Sequence, residues 1–453
     1  MAVLLSELGS ASSLLPAINA SFSRSDSKPS LQIGRVAPPP RGIESWRRKR
    51  AEEAICTADE LHYAPVPNSD WRIALWRYLP SPKAPRRNHP LLLLSGVGTK
   101  ALGYDLSPES SFARFMSGQG FDTWIVELRG VGLSSLRDEI PRRRSSSNDQ
   151  LQTASDLLEN FISISKKFDP FLDRESAGSK ILELTKKIED FKKELELIPW
   201  YDWDFDNYLE EDVPSAMEYV RNQSEPKDGK LLAIGHSMGG NLLYAMLSKC
   251  SFEGRETGLA SVTTLASTLD YSSSNSFCKN LLLVAEPVRA SNISVIPIGV
   301  MYAMAHPFMF RPPYALSCLT TKLSAPQMMN PELLEKLVLN NFCTVPSKLL
   351  LQLSTAAQDS RGLQDITGTF YYKEHIGEST VPILAIAGDR DSVCPPDAVY
   401  ETVKLIPESL VTYKVVGEPG GPHYGHYDLI GSLAAPMEVY PLIVQFLELH
   451  DEI

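Results

Sequence analysis

Lys230-Leu-Leu-Ala-Ile-Gly-His-Ser-Met-Gly-Gly-Asn241 joins an apolar run to a segment with helical spacing, and a Gly-x-Ser-x-Gly pattern lies at the junction. The apolar run predicts a buried strand, and residues 241–249 predict a helix. A sharp turn between the two places Ser237 beyond the carboxyl end of the strand, and small residues such as Gly235 and Gly239 make room for that turn. The stretch therefore predicts an activated serine, whereas the five residues alone would indicate only a turn.

Similar apolar runs recur along the chain, and segments with helical spacing separate them. The runs lie at residues 90–94, 123–128, 259–266, 381–387 and 411–416. Runs of this kind are typical of central parallel strands that are buried on both faces. Residues 71–78 instead alternate apolar and polar side chains, which indicates an outer antiparallel strand. The pattern predicts an α/β fold with a doubly wound, mainly parallel sheet in a domain of residues 58–450.

Two long segments interrupt this alternation. In residues 137–200, apolar side chains recur at three- and four-residue steps, which predicts a helical hairpin that packs on the domain or serves as a dimerisation arm. Residues 272–380 lie between two predicted core strands, where a helical cap would cover the site. Residues 291–310 carry no Lys, Arg, Asp or Glu but are interrupted by Pro297 and Pro307, which argues against a membrane span. A pocket-lining cap helix, a lid that contacts lipid and plain core packing remain the alternatives for this segment.

The charge of the chain argues against one class of partner. The formal net charge is −11, which does not suit a general nucleic-acid binder. Residues 1–50, by contrast, carry eight basic and three acidic residues and are rich in serine and alanine. That composition predicts a plastid transit peptide, with a disordered tail on a cytoplasmic protein as the alternative. The sequence does not indicate the oligomeric state.

The six cysteines lie far apart, and none belongs to a Cys-x-x-Cys pair. This usage suits buried thiols in a reducing compartment better than a disulfide framework or a zinc site. The cysteines therefore predict no metal site.

A serine nucleophile needs a base to take its proton and an acid to orient that base. Asp391 is the candidate acid, because it lies in a proline-closed turn just past a predicted strand and thus at the same edge of the sheet as Ser237. Asp389, in the same turn, is the main alternative. Asp270, after the run at 259–266, is a weaker one.

His426 is the candidate base, because it lies in a glycine-containing loop that can carry an imidazole to the serine. His423, in the same loop, is the alternative. The order Ser237, Asp391, His426 along the chain favours this set, since one class of serine hydrolases has its three groups in that order. His236, next to the serine, is predicted to be a packing or hydrogen-bonding neighbour.

Acyl transfer also needs two N–H donors for the oxyanion that develops on the substrate. The N–H of Met238 is one of them, since this residue begins the predicted helix and its N–H points toward the turn. The second comes from residues 95–98, which follow the run at 90–94. We assign it to Val97, with Gly96 as the alternative.

With these motifs, the chain resembles the α/β-hydrolase superfamily of the esterase and lipase type. The segments that carry the resemblance are residues 92–96, 127–134, 235–240, 388–391 and 425–428. Residues 203–214 are similar to the helix that precedes the nucleophile strand in acid-lipase-like and plant plastid members. Many members begin the oxyanion loop with His-Gly, whereas this chain has Ser95-Gly96, which keeps the backbone donor.

The resemblance implies a doubly wound α/β-hydrolase sheet with a helical cap, and acyl transfer by Ser237, His426 and Asp391. It implies a carboxylic ester substrate with an apolar or lipid-like part, no cofactor, and peripheral membrane contact through the cap as one further expectation. The same residues also suit a ligand receptor with slow turnover, or a transacylase, lyase or thioesterase, because one fold supports many functions.

Overall fold

The computed structural model describes residues 57–136, 200–279, 293–312 and 314–452. Its strands, in chain order, are β1 (Glu60–Pro65), β2 (Trp71–Tyr78), β3 (Leu91–Leu94), β4 (Thr123–Glu127), β5 (Ser135–Leu136), β6 (Leu231–His236), β7 (Leu259–Leu265), β8 (Val295–Pro297), β9 (Thr344–Pro346), β10 (Ile383–Gly388) and β11 (Val411–Val416). All except β8 and β9 form one sheet in the order β1-β2-β4-β3-β6-β7-β10-β11, with β5 paired to β2.

Helices connect these strands. The longer ones are α1 (Phe112–Gly118), α2 (Val213–Ser224), α3 (Met238–Glu253), α4 (Ile298–Phe310), α5 (Pro331–Asn340), α6 (Ser347–Ser354), α7 (Pro396–Val403) and α8 (Tyr440–Leu449). Shorter helical turns lie at Phe205–Asn207, Thr320–Leu323, Tyr372–His375, Asp428–Gly431 and Ala435–Glu438, and a π-helical turn lies at Tyr208–Asp212. Side chains cap several of them, as where Ser111 Oγ accepts the Arg114 N–H at 3.0 Å.

The part of the sheet with the order β4-β3-β6-β7-β10-β11 is parallel, and the antiparallel pairs are those of β2 with β1, β4 and β5. Every residue of β3 and of β6 is buried, as the continuous apolar runs predict. Burial of each leucine of β3 stabilises the fold by about 1.5–3 kcal/mol. The prediction of a doubly wound, mainly parallel sheet is therefore confirmed.

The registers of the central strands place their carboxyl ends at one edge of the sheet. Leu94 pairs with Gly235 between β3 and β6, and His236 pairs with Leu265 between β6 and β7. Ile386 of β10 also pairs with Leu265. The loops that follow these four strands consequently converge, which is where ligands bind in open α/β sheets.

The loop after β4 is held by buried charges. Arg129 donates from its Nε to Asp212 at 2.9 Å and from its backbone N–H to the same carboxylate at 2.8 Å. Gly130 has a φ of +75°, and a Cβ there would lie 2.3 Å from the Trp203 ring. Residues 127–134, which carry part of the family resemblance, thus have a packing role in this chain.

The segment between β7 and β10 builds a layer above the sheet edge. Strands β8 and β9 pair in antiparallel fashion, and α4 packs against α5. Pro297 precedes α4, as the sequence indicates, but Pro307 lies inside it. The helix continues because Pro307 is in the last turn, where a missing N–H costs at most one intrahelical hydrogen bond. Residues 1–50 and residues 137–199 of the first predicted insertion lie outside the described residues.

Within the described ranges, no helix combines the length and hydropathy that crossing a membrane requires.

The start of β3 is tied to the C-terminal segment by His89, whose side chain is fully buried. His89 Nδ1 lies 3.0 Å from Asp451 Oδ1, and its Nε2 lies 3.1 Å from Asp228 Oδ1. Burial alone would lower the pKa of His89, but the hydrogen bonds to the two carboxylates outweigh it and raise the pKa.

This arrangement predicts a pH-dependent stability. A raised pKa means that the folded chain binds the proton more tightly, so the stabilisation is complete below about pH 6.5 and is lost as the pH rises through the folded-state pKa. Between pH 6 and pH 8.5, we expect the free energy of unfolding to fall by about 1–2 kcal/mol more in the native chain than in His89→Gln. Urea denaturation at both pH values measures these free energies. An equal change between the two pH values in both proteins would contradict the prediction.

Candidate active site

Ser237 lies in the sharp turn between β6 and α3. Its φ of +55° and ψ of −123° are unfavourable for a residue with a side chain and cost about 1–3 kcal/mol. The Ser237 N–H donates to Leu265 O at 2.9 Å, which anchors the turn to the neighbouring strand. A Cβ on Gly239 would lie 2.2 Å from Leu94 O, and one on Gly235 would lie 2.4 Å from the Gly239 backbone. Both glycines are therefore needed for the strained serine.

His426 and Asp391 form a buried pair at the same sheet edge. His426 Nδ1 lies 2.8 Å from Asp391 Oδ2. The other oxygen of Asp391 accepts the N–H groups of Val393 at 2.8 Å and Cys394 at 2.9 Å, and the carboxylate is fully buried. Because the carboxylate can only accept at Nδ1, the proton of a neutral His426 lies on Nδ1 and its Nε2 is left as an acceptor.

The structure pairs the alternative acid with the alternative base. Asp389 contacts His423 Nδ1 and accepts the Tyr424 N–H at 2.8 Å. Asp270 is paired with Lys373 and accepts the Ser272 N–H. Among the described residues that line the cavity at Ser237, neither Asp389, His423 nor Asp270 is present. These contacts favour a structural role for all three.

The residues proposed to hold an oxyanion lie on two sides of Ser237. Met238 is the first residue of α3, where the N–H has no acceptor within the helix. Val97 follows Gly96, and a Cβ on Gly96 would lie 3.3 Å from Ser237 Cβ. Gly96, Val97 and Met238 all line the cavity beside Ser237, so these residues border the space in front of the serine.

A cavity of about 160 Å³ opens in front of Ser237 and His426. Most of its walls are apolar, and the segment between β7 and β10 supplies many of them. These residues are Tyr271, Cys278, Ile298, Tyr302, Lys322, Leu323, Phe342, Leu350, Leu353 and Ala357. Ile298 and Tyr302 lie in the apolar stretch of residues 291–310, for which a pocket-lining helix was one of the alternatives. The sequence did not distinguish the other lining residues, since apolar side chains that line a pocket look like any core residues.

Burial disfavours the charged form of two titratable groups, His236 beside the His426 ring and Cys278 in the cavity wall. Burial lowers the pKa of His236 to about 3, and its Nε2 lies 2.9 Å from the carbonyl oxygen of His426. The neutral ring thus donates a hydrogen bond that supports the loop of His426, in line with its expected role. Burial also raises the pKa of the Cys278 thiol to about 11, so this lining cysteine is a poor nucleophile at neutral pH.

Metal ligands do not gather near the cavity. Across the described ranges, no group of three or more His, Cys, Asp or Glu residues is placed to hold a metal ion. Among the residues that line the cavity, Lys322 carries a positive charge.

No protein-family model matches the chain, and neither does any curated protein sequence. Among solved structures, the chain is similar to a soluble variant of monoglyceride lipase from Saccharomyces cerevisiae, with 11% identity and a TM-score of 0.50 over 88% of this chain and 98% of that one. It is also similar to a thermophilic esterase from Thermogutta terrifontis, with 15% identity and a TM-score of 0.48 over 87% and 100%. Identities this low show a shared fold and do not transfer an activity.

Proposed function

We propose, on the premise that this chain has the α/β-hydrolase fold, that it is a serine hydrolase that cleaves carboxylic esters through an acyl-enzyme. The observation that carries the proposal is one cavity that receives both the strained Ser237 and the His426 ring, with Asp391 bonded behind the imidazole. A nucleophile, a base and an acid that orients the base are the three groups that this chemistry requires.

In the proposed mechanism, His426 Nε2 takes the proton of the Ser237 hydroxyl while Oγ attacks the ester carbonyl. The oxyanion of the tetrahedral intermediate accepts hydrogen bonds from the N–H groups of Val97 and Met238. Collapse of the intermediate breaks the ester C–O bond, and His426 returns its proton to the departing alcohol. A water molecule then gives a proton to His426 and attacks the acyl carbon. The bond from Ser237 Oγ to the acyl carbon breaks, His426 returns the proton to Oγ, and the acid leaves.

The electrostatics of the pair suit this sequence of steps. His426 becomes positively charged when it takes the proton, and the buried carboxylate of Asp391 stabilises that charge most strongly in a low-dielectric site. The N–H groups of Val393 and Cys394, which donate to Asp391, keep the carboxylate in place before the charge develops. Little reorganisation is therefore needed during the reaction.

The cavity limits the group that fits beside the serine. An engineered apolar cavity of about 150 Å³ takes up benzene, so about 160 Å³ accommodates an apolar group of about six carbons. The apolar walls therefore favour esters with a short or medium acyl or aryl group, and a longer chain must extend outside the cavity.

This size gives a prediction for 4-nitrophenyl esters of increasing acyl length. From the acetate to the hexanoate ester, we expect kcat/KM to rise by about fourfold per methylene, because each buried methylene contributes about 0.8 kcal/mol. Beyond about six carbons the rise should stop. Ala357→Phe, which narrows the cavity, should move the maximum to shorter esters, and a palmitate ester that is faster than the hexanoate ester would contradict the assignment.

The proposed function is tested by incubating the full chain with a fluorophosphonate probe and mapping the modified peptide by mass spectrometry. We expect a stoichiometric adduct on Ser237 and none after heat denaturation, because only an activated serine reacts rapidly. The absence of labelling in folded protein would overturn the hydrolase proposal. Labelling without turnover of any ester would instead favour the receptor-like alternative.

A further inference from the structure

The loop that carries His426 is hydrogen-bonded to the segment between β7 and β10, which we call the cap. The Tyr427 N–H donates to Leu323 O at 2.7 Å. On the same side, Ser324 Oγ donates to Asp428 Oδ1 at 2.6 Å, and the Ala325 N–H donates to Asp428 Oδ2 at 2.7 Å. A short cap segment, Leu323 to Ala325, is thus bonded to the two residues that follow His426.

The Asp428 carboxylate also reaches the residue that precedes His426. Its Oδ2 accepts the Gly425 N–H at 2.6 Å, so a single oxygen binds both a cap amide and an amide of the histidine loop. The fit is tight, because a Cβ on Gly425 would lie 2.7 Å from the Ala325 nitrogen. Asp428 is fully buried and therefore makes these bonds without competition from water.

We propose that Asp428 is a positioning residue through which the cap sets the place of His426, an inference that rests on the proposed function of this site. The carboxylate accepts hydrogen bonds from Gly425, which precedes the histidine, and from Ser324 and Ala325 of the cap. The cap and the base then move as one unit. When the cap segment lifts from the sheet edge, His426 is drawn away from Asp391 and Ser237, so hydrolysis requires a seated cap.

The contacts on the other side of the histidine agree with this assignment. His236 is hydrogen-bonded to the backbone carbonyl of His426, and Asp391 is hydrogen-bonded to the His426 ring. Neither of these two contacts involves Gly425. Tyr424 is bonded to Asp389 and to the Arg390 N–H, and Asp428 adds the bond to Gly425, the residue next to His426. Burial raises the pKa of Asp428 to about 6, so the charged form of this carboxyl group is less favoured here than in water.

Two substitutions separate the bonds from the charge. In Asp428→Asn, the amide oxygen can accept the N–H groups of Gly425 and Ala325, while the amide NH₂ can donate to Ser324 Oγ. In Asp428→Ala all three bonds are lost. Ser324→Ala removes only one bond to the cap and remains informative if Asp428→Ala fails to fold.

The experiment compares full-length native protein with these three variants by two readouts. The first is the low-field proton resonance of the His426 Nδ1–H in the hydrogen bond to Asp391, assigned through its absence in His426→Gln. The second is the rate constant of fluorophosphonate labelling. We expect Asp428→Ala to lose the resonance and to label about 100-fold more slowly, as a displacement of about 1 Å would cause. Ser324→Ala should slow labelling less, and Asp428→Asn should keep both signals.

Tyr78→Phe is the control for a loss of stability alone. It removes a buried hydrogen bond between Tyr78 and Asp105, neither of which is among the residues that line the cavity. This variant should keep the resonance and the labelling rate. An unchanged resonance and rate in folded Asp428→Ala, or in Ser324→Ala if that variant alone folds, would overturn the inference. If the native protein itself does not label, the proposed function fails, and the resonance alone still decides whether Asp428 positions His426.

Discussion

Ser237→Ala is expected to lower kcat for ester hydrolysis by a factor on the order of 10⁶ and to abolish fluorophosphonate labelling, because the acyl-enzyme cannot form without the Oγ nucleophile. The alanine leaves the cavity, the His426–Asp391 pair and the N–H groups of Val97 and Met238 in place. KM for the ester should therefore change little. Steady-state kinetics with the 4-nitrophenyl hexanoate ester measures both constants.

The backbone of the turn gives this prediction a second, independent part. Alanine keeps the strain of a positive φ at residue 237, whereas glycine adopts such a conformation without a steric cost. Ser237→Gly should thus be as inactive as Ser237→Ala but more stable by about 1 kcal/mol, after the entropy of the unfolded glycine chain is allowed for. Substantial turnover by either variant would show that another group is the nucleophile.

The order of strands and helices could be predicted because buried parallel strands leave a strong pattern. Runs such as residues 90–94 and 230–234 must be apolar throughout, since both faces of the sheet are covered. The turn at Ser237 was also visible, because the backbone there tolerates only glycine at positions 235 and 239. Pro307 was expected to interrupt the stretch at 291–310, whereas it lies inside the helix Ile298–Phe310, because a proline in the last turn need not end a helix.

The chain order favoured Asp391 with His426, which is the pair that the structure shows, but the sequence alone did not exclude Asp389 or His423. Asp389 and Asp391 lie two residues apart, and His423 and His426 lie three apart. With such short spacings, each aspartate could be matched with either histidine. The choice depends on which side of the turn each side chain emerges, and this is set by the Val393 and Cys394 amides that bind Asp391.

The role of the cap was hidden for a related reason. Asp428 and Ser324 are separated by 104 positions. Asp428 belongs to a segment that carries the family resemblance, but nothing in the sequence links it to Ser324. Their hydrogen bond exists only because the cap folds back over the sheet edge. Contacts of this length carry no local pattern, whereas helix and strand periodicity is local by nature.

Asp391→Asn is expected to lower kcat by about 10⁴ without a comparable loss of stability. The amide oxygen of asparagine can still accept the Val393 and Cys394 N–H groups, which leaves its NH₂ group toward His426 Nδ1. The imidazole must then accept at Nδ1 and carry its proton on Nε2. In that tautomer it cannot take the proton of Ser237, although the positions of the atoms are almost unchanged.

Asp389→Asn is the matched comparison, since it makes the same chemical change two residues away in the same turn. Asp389 contacts His423 and the Tyr424 amide, and neither contact involves the His426 ring. We expect kcat to change by less than about threefold in this variant. The reverse result, a large loss in Asp389→Asn and a small one in Asp391→Asn, would transfer the role of the acid to Asp389 and the role of the base to His423. Comparable large losses of kcat in both variants would mean that the substitutions disrupt the fold of the turn. Thermal denaturation would then show equal falls in Tm for the two variants.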